Sequence, residues 1–121
     1  MRHMLFVYGT LKKGFGNHGL LANAEFKGNA ITQEKYALYV AGIPFVIKDE
    51  SISHIHGELY VVNQATLAKL DRLEGHPDCY KRETIKVSLE EREAAEAIAA
   101  WIYFYPEKRG LLIQSGIYEI R

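Results

Sequence analysis

Hydrophobic positions along this chain repeat every second residue more often than every third or fourth. Between Tyr80 and Leu89, Ile85, Val87 and Leu89 alternate with Thr84, Lys86 and Ser88, a period that predicts a half-buried strand. Ala97 to Tyr105 reads as its apolar partner. Leu5-Phe6-Val7-Tyr8 is apolar without alternation and ends at a glycine, the signature of an interior strand with both faces covered. Glu25 to Thr32, Tyr36 to Val40 and Pro44 to Lys48 are rich in aromatic and β-branched residues and predict three further strands, with Gly42 and Pro44 marking a turn. His54 to Val62 predicts a longer one. Glu90 to Glu96 has helical propensity but is too short to hold alone, so a charged hairpin connection is expected there.

Only one segment changes to the helical period for long. Leu67, Leu70 and Leu73 share a face, and Asn63 precedes them as an N-cap, so a helix is predicted over Gln64 to Leu73 with those leucines buried and Lys69, Asp71 and Arg72 pointing elsewhere. Gly75 supplies a left-handed C-terminal cap and Pro77 prevents continuation. His18 to Ala22 predicts a single helical turn inside a glycine-containing stretch fit to rim a pocket. Many strands with one good helix give an α+β domain, 1–121, without repeats or linkers.

Charge and cysteine usage narrow the function classes. Lys plus Arg and Asp plus Glu are each 15, for a net charge of +0, so no overall field draws in nucleic acid or an anionic membrane, and a small-molecule partner is expected. The one cysteine, Cys79, has no internal partner, and the N-terminus lacks the long apolar run of a signal peptide or anchor. A reducing, cytoplasmic setting is expected.

Two segments carry candidate chemistry. Tyr8-Gly9-Thr10-Leu11 follows a strand, where successive N–H groups of Gly9, Thr10 and Leu11 can receive an anion or polarise a carbonyl; the plainer reading is a turn after a core strand. Glu74 sits in the last helical turn, where the negative end of the dipole disfavours ionisation. A carboxylate there offers little stability, and its raised pKa suits a proton carrier. Tyr80 and Arg82 share a strand face, Arg82 being set to pair with a carboxylate, structural rather than a ligand's. Trp101, Tyr103 and Tyr105 alternate with Ile102 and Phe104 and fit either a pocket wall or a sheet core. Cys79 with His76 raises a thiol nucleophile, and His54, His56 and Glu58 share a face that could present a metal. The spacing of both groups is weak, and no metal or cofactor is expected.

Tyr8-Gly9-Thr10-Leu11 followed by Lys12, Gly14, Asn17 and His18, then Gly57-Glu58-Leu59-Tyr60-Val61-Val62, Leu70-Asp71, Glu74, Pro77, Tyr80 and Arg82, form an ordered pattern from Leu5 to about Tyr105. That pattern resembles the gamma-glutamylcyclotransferase-like family, most closely its gamma-glutamylamine cyclotransferase branch. The resemblance implies a small, mostly antiparallel, barrel-like sheet with one packed helix. It also implies that Tyr8, Gly9, Thr10 and Leu11 bind a γ-glutamyl group; Tyr80, Arg82 and Tyr103 stay second-tier candidates on their strand positions alone. Glu74 is then the general base and acid while that group cyclises to 5-oxoproline. Intramolecular chemistry of this kind needs neither metal nor cofactor. The rival expectation is a binding module without catalysis that keeps the pocket for an acidic metabolite or a peptide end.

Overall fold

In the computed structural model, which describes residues 2–90 and 96–119, strands are the main regular structure. They are β1 (Arg2–Val7), β2 (Glu25–Val40), β3 (Pro44–Ile47), β4 (Ser53–Asn63), β5 (Lys81–Leu89), β6 (Ile98–Phe104) and β7 (Leu111–Leu112). Helix α1 (Gln64–Glu74) lies between β4 and β5, and a short 3-10 turn spans His18–Leu21. The strand order β1-β4-β2-β3-β6-β5 is closed by further pairings of β1 with β6 and of β2 with β5. The sheet therefore curls on itself into a barrel-like shape, which leaves few open edges. Pairing is antiparallel except where β6 meets β1 and β3.

Curling explains why β1 is apolar on both faces from Leu5 onward. Phe6 and Tyr8 join Leu38, Val46, Ile55, Leu59, Ile102 and Phe104 in one core cluster inside the curve. Leu5 and Val7 point the other way, into a second cluster with Phe45, Leu67, Leu70 and Tyr103 beneath α1. Each fully buried aliphatic side chain contributes about 1.5–3 kcal/mol, so the leucines of α1 hold the helix to the sheet more firmly than its short length could.

Three features depart from the pattern-based expectation. The strands expected at Glu25–Thr32 and Tyr36–Val40 are one bent strand, β2, whose register against β4 slips between Ile31 and Lys35. Thr32 stitches that slip: its hydroxyl donates to the Glu34 carbonyl at 2.7 Å and accepts from the Ile55 N–H at 2.9 Å. A bulge adds residues without ending the strand, which a periodicity reading sees as a break. Second, Leu73, in the last turn of α1, is not buried with Leu67 and Leu70; it is 49% exposed. Third, β7 was too short to register as a pattern. The connection expected over Glu90 to Glu96 lies largely outside the described residues.

The cap residues act as read. Asn63 accepts from the Thr66 N–H at 2.8 Å, and Gly75 takes the left-handed conformation with φ 68°. That glycine ends α1 with Glu74 as its final residue. No helix among the described residues is long and apolar enough to cross a membrane.

Candidate active site

The end of β1, the turn between β2 and β3, and the end of α1 converge on a cavity of about 310 Å³. Its lining includes Tyr8, Gly9, Thr10 and Leu11 from the first region, Ile43 and Pro44 from the second, and Leu73, Glu74, Cys79 and Tyr80 from the third, with Asn17 and Tyr103. Segments far apart in sequence, singled out for their residue types, thus share one pocket.

Leaving β1, the chain turns so that its carbonyls face the protein. The Gly9 carbonyl accepts from the Lys12 N–H at 3.0 Å, the Thr10 carbonyl from the Asn17 N–H at 3.0 Å, and the Leu11 carbonyl from His18 Nδ1 at 2.9 Å. The N–H groups of Gly9, Thr10 and Leu11 donate to no backbone carbonyl among the described residues. With those carbonyls engaged, the loop borders the pocket with N–H groups that pair with no backbone carbonyl of the described residues, the arrangement an anion or a polarised carbonyl would need. The Asn17 side chain donates to Thr10 Oγ1 at 2.9 Å and holds that hydroxyl in place. Lys12 Nζ donates to the Tyr118 carbonyl at 2.7 Å, tying the loop to the C-terminal segment.

Gly9 owes its identity to packing. Its backbone is not left-handed, and an added Cβ would stand 2.6 Å from Cγ of Pro44. The close approach that the missing side chain permits is therefore to Pro44, at the turn between β2 and β3. Tyr8 contributes its backbone to the pocket, while its hydroxyl donates to the Tyr103 carbonyl at 2.8 Å.

Opposite the loop stands Glu74. Burial raises its carboxyl pKa to about 7, the direction expected from its place at the end of the helix, with withdrawal from water as the cause. Its charge acts in turn on the phenols of Tyr80, Tyr8 and Tyr103, each of which burial, first of all, and then Glu74 among other charges push upward. Tyr103 donates its proton to Asp71 Oδ1 at 2.7 Å, and Tyr80 donates to the Pro44 carbonyl at 3.2 Å. With those protons committed, the phenol oxygens have only lone pairs left to offer. The pocket is thus divided, with backbone donors on the loop and acceptors around Glu74.

Arg82 stands outside the lining. Its guanidinium makes a two-pronged pair with Asp71, Nε to Oδ1 at 2.8 Å and Nη2 to Oδ2 at 2.9 Å, and lies 4.1 Å over the Trp101 ring. This is the structural carboxylate pairing expected for it. Asp71 thereby becomes the hub that holds Tyr103, a residue that helical periodicity had turned away from the fold. Its presence beside Leu70 in the ordered motif pattern was the signal available. Asn17 and Pro44 are the other contributors whose roles the strand-and-helix reading did not assign.

The competing groups disperse. His76 Nδ1 accepts from the Arg82 N–H at 3.0 Å, which makes the imidazole a brace for the start of β5, while Cys79 is exposed at the pocket edge. His54 Nδ1 donates to the Thr32 carbonyl, His56 lies 2.8 Å from Glu90, and Glu58 accepts from the Lys13 N–H and the Tyr60 hydroxyl. Among the described residues no three His, Cys, Asp or Glu side chains gather to hold a metal ion.

Comparison with known proteins converges on one family. Residues 5–119 match the sequence profile described as gamma-glutamyl cyclotransferase, AIG2-like. A Methanocaldococcus jannaschii protein provisionally named a gamma-glutamylcyclotransferase is 50% identical over 116 residues, covering 95% of this chain and 94% of its own. The human gamma-glutamylaminecyclotransferase is 33% identical over 117 residues, covering 83% of this chain and 76% of its own. The crystal structure of an AIG2-like protein from Mus musculus superposes with a TM-score of 0.87 at 28% identity, covering 98% of this chain and 88% of that one.

Proposed function

This chain belongs to the gamma-glutamyl cyclotransferase, AIG2-like family, and from that premise we propose that it converts a γ-glutamyl amide to 5-oxoproline and a free amine. The observation that carries the reading is the divided pocket: three N–H groups without a backbone partner among the described residues on one wall and a half-buried carboxyl with a pKa of about 7 on the other. A γ-glutamyl group has matching ends, a carboxylate and an amide carbonyl that accept, and an α-amine that donates.

In the proposed reaction the Gly9 to Leu11 donors hold the glutamyl group folded back on itself. Glu74, as carboxylate, takes a proton from the α-ammonium, and the freed nitrogen attacks the γ-carbonyl carbon. A new C–N bond closes the five-membered ring, Glu74 gives its proton to the departing nitrogen as the old amide C–N bond breaks, and the second proton of the ring nitrogen passes through Glu74 to the released amine, which leaves as an ammonium. No proton is gained or lost overall. Because nucleophile and electrophile share one molecule, positioning supplies much of the acceleration. A carboxyl whose pKa lies near neutrality takes the proton from an ammonium with a smaller uphill step than an ordinary glutamate and gives it back more readily.

The test is incubation of the pure protein with γ-glutamyl amines, γ-glutamyl amino acids and glutathione, following 5-oxoproline by mass spectrometry. Release from at least one compound, dependent on protein concentration, is expected. Saturable binding of these compounds with no 5-oxoproline would leave a binding module and remove the enzyme reading.

A further inference from the structure

We infer that Lys12 is a positioning residue: bound to the Tyr118 carbonyl, its ammonium carries the hold of the C-terminal segment onto the loop from Gly9 to Leu11 and fixes where the γ-glutamyl donors stand relative to Glu74. The inference rests on the cyclotransferase reading above and adds to it a residue that is not part of the pocket lining.

The loop's shape and its place are set by different bonds. Shape comes from within, through the bonds from Lys12 to Gly9, from Asn17 to Thr10 and from His18 to Leu11. Those bonds would survive if the loop moved as a unit. Place depends on what reaches out of the loop, and among the described residues two consecutive positions supply those hydrogen bonds. The Lys13 N–H donates to Glu58 Oε1 on β4 at 3.0 Å, and Lys12 Nζ donates to the Tyr118 carbonyl at 2.7 Å.

Lysine is an unusual occupant of such a position. Lys12 is only 9% exposed, and it forms no salt bridge among the described residues. Its ammonium lies 5.3 Å from the centre of the Phe15 ring, which in turn packs on Tyr118 with ring centres 5.2 Å apart. Burial lowers its pKa, against the attraction of Glu58 and Glu119. Taking an ammonium out of water is costly, and an apolar side chain of the same length would fill this space at less cost. What the ammonium adds is the charge-assisted bond to Tyr118.

The other end of this tie is itself anchored. The Ile113 N–H donates to the Leu38 carbonyl on β2 at 2.8 Å and the His56 N–H on β4 to the Gly116 carbonyl at 2.9 Å, while Ile113 and Tyr118 pack against the inner core cluster. Gly116 takes φ 74°, and a Cβ there would run into the His54 carbonyl oxygen. The segment is thus a strut from β2 and β4 to the loop, and Lys12 makes the hydrogen bond at which it arrives.

The experiment combines calorimetric binding of N-methylglutaramate, a γ-glutamyl amide without the α-amine and so unable to cyclise, with kinetics on whichever compound of the panel above the parent turns over fastest. Lys12→Met keeps an unbranched stem and removes the donors, and Gly116→Ala pushes the strut off β4 without touching loop or pocket. Each is expected to weaken analogue binding and raise KM by about tenfold, the scale of one lost charged hydrogen bond. At saturation kcat should stay within about threefold, because the loop donors hold the substrate alike before and during the reaction, and the limb near pH 7 should not move, since Glu74 is untouched. The double variant should lose no more than about twofold beyond either single one, because both act through the same bond. A lysine with a merely structural role would lower the melting temperature and leave the affinity of the folded protein unchanged. If Lys12→Met does not fold, Gly116→Ala decides alone. Parent-like affinity and KM in either folded variant, a loss confined to kcat, or losses that multiply in the double variant overturn the inference while the cyclotransferase reading stands. A parent that neither binds the analogue nor releases 5-oxoproline removes both.

Discussion

The two walls of the pocket are built from different materials. On the loop from Tyr8 to Leu11 the proposed recognition groups are the backbone N–H donors of Gly9, Thr10 and Leu11, whose carbonyls are already engaged by Lys12, Asn17 and His18. At the end of α1 the proposed chemistry sits in one side chain, Glu74, whose carboxyl burial pushes up to about 7. A backbone site tolerates most side-chain substitutions that leave its path unchanged, and fails when the path is disturbed. A side-chain site fails when that one residue is altered and is otherwise insensitive to the path. The two walls should therefore break in opposite ways.

The largest effect is expected at Glu74. Glu74→Gln keeps the size and the fold but cannot carry a proton, so turnover should fall by at least about a hundredfold with ligand binding retained. In the parent, kcat/KM should rise with pH through a limb near 7, where the carboxyl ionises. Stability should move the other way. The folded pKa lies above the unfolded value of 4.5, so the native state holds its proton more tightly between those values, and stability present at pH 4 is lost as pH rises through 7. Glu74→Gln removes that loss. Relative to the parent it should gain about 1–2 kcal/mol between pH 4 and pH 8, less than the full equivalent of the shift because the carboxyl is partly open to water. Denaturant melts at the two pH values check the sign, and parent and variant curves that stay parallel would mean that Glu74 is an ordinary surface glutamate.

Much of this division was legible before the fold. Gly9 and Glu74 stood out because each broke its local pattern, a glycine cutting an apolar strand and a carboxylate facing the wrong end of a helix dipole. The cap at Asn63, the stop at Gly75 and the strands of the sheet followed from local rules. What periodicity could not supply was anything settled across the sheet. Pro44 fills the space beside Gly9, Asp71 reaches Arg82 and Tyr103, and Leu73 stays exposed; each depends on how the elements meet, which no local window contains. The bulge at Thr32 stayed hidden for a related reason, since its cause is a hydroxyl bonded across to Ile55 on β4.

Gly9 gives the next largest effect and tests the backbone wall. Gly9→Val adds bulk where even a single Cβ stands 2.6 Å from the Pro44 ring, so the loop must shift away from the turn between β2 and β3. Loss of analogue binding by about tenfold or more is expected, together with destabilisation of about 1–3 kcal/mol from overpacking. Thr10→Ser keeps both the backbone donor and the hydroxyl that Asn17 holds at 2.9 Å, and should bind within about threefold of the parent. Calorimetric titration with a γ-glutamyl analogue that cannot cyclise, on folded monodisperse protein, separates the two variants. Parent-like binding by Gly9→Val would mean that the loop is only a turn and that the recognition groups lie elsewhere.

The smallest effect is expected where the two walls are joined. Asp71 sits one turn before Glu74, holds Arg82 by two bonds, and accepts the Tyr103 proton at 2.7 Å. Arg82 and Tyr103 hold its carboxyl below the ordinary value, against the opposing effect of burial. Asp71→Asn keeps the shape but removes the charge, and one carbonyl oxygen must then serve where two carboxylate oxygens served. A stability loss of about 1–3 kcal/mol is expected, because the Arg82 guanidinium, with 15% of its side chain exposed, loses half of its pairing. The effect on kcat/KM should be about three- to tenfold and should act through Tyr103, whose ring lines the pocket. Tyr103→Phe removes the same bond from the other side, so its effect and that of Asp71→Asn should not add in the double variant. The activity limb near pH 7 should persist in all three, since burial of Glu74 is its cause and neither substitution uncovers it. Strictly additive losses would separate Asp71 from the pocket and reduce it to a fastening between α1 and β5.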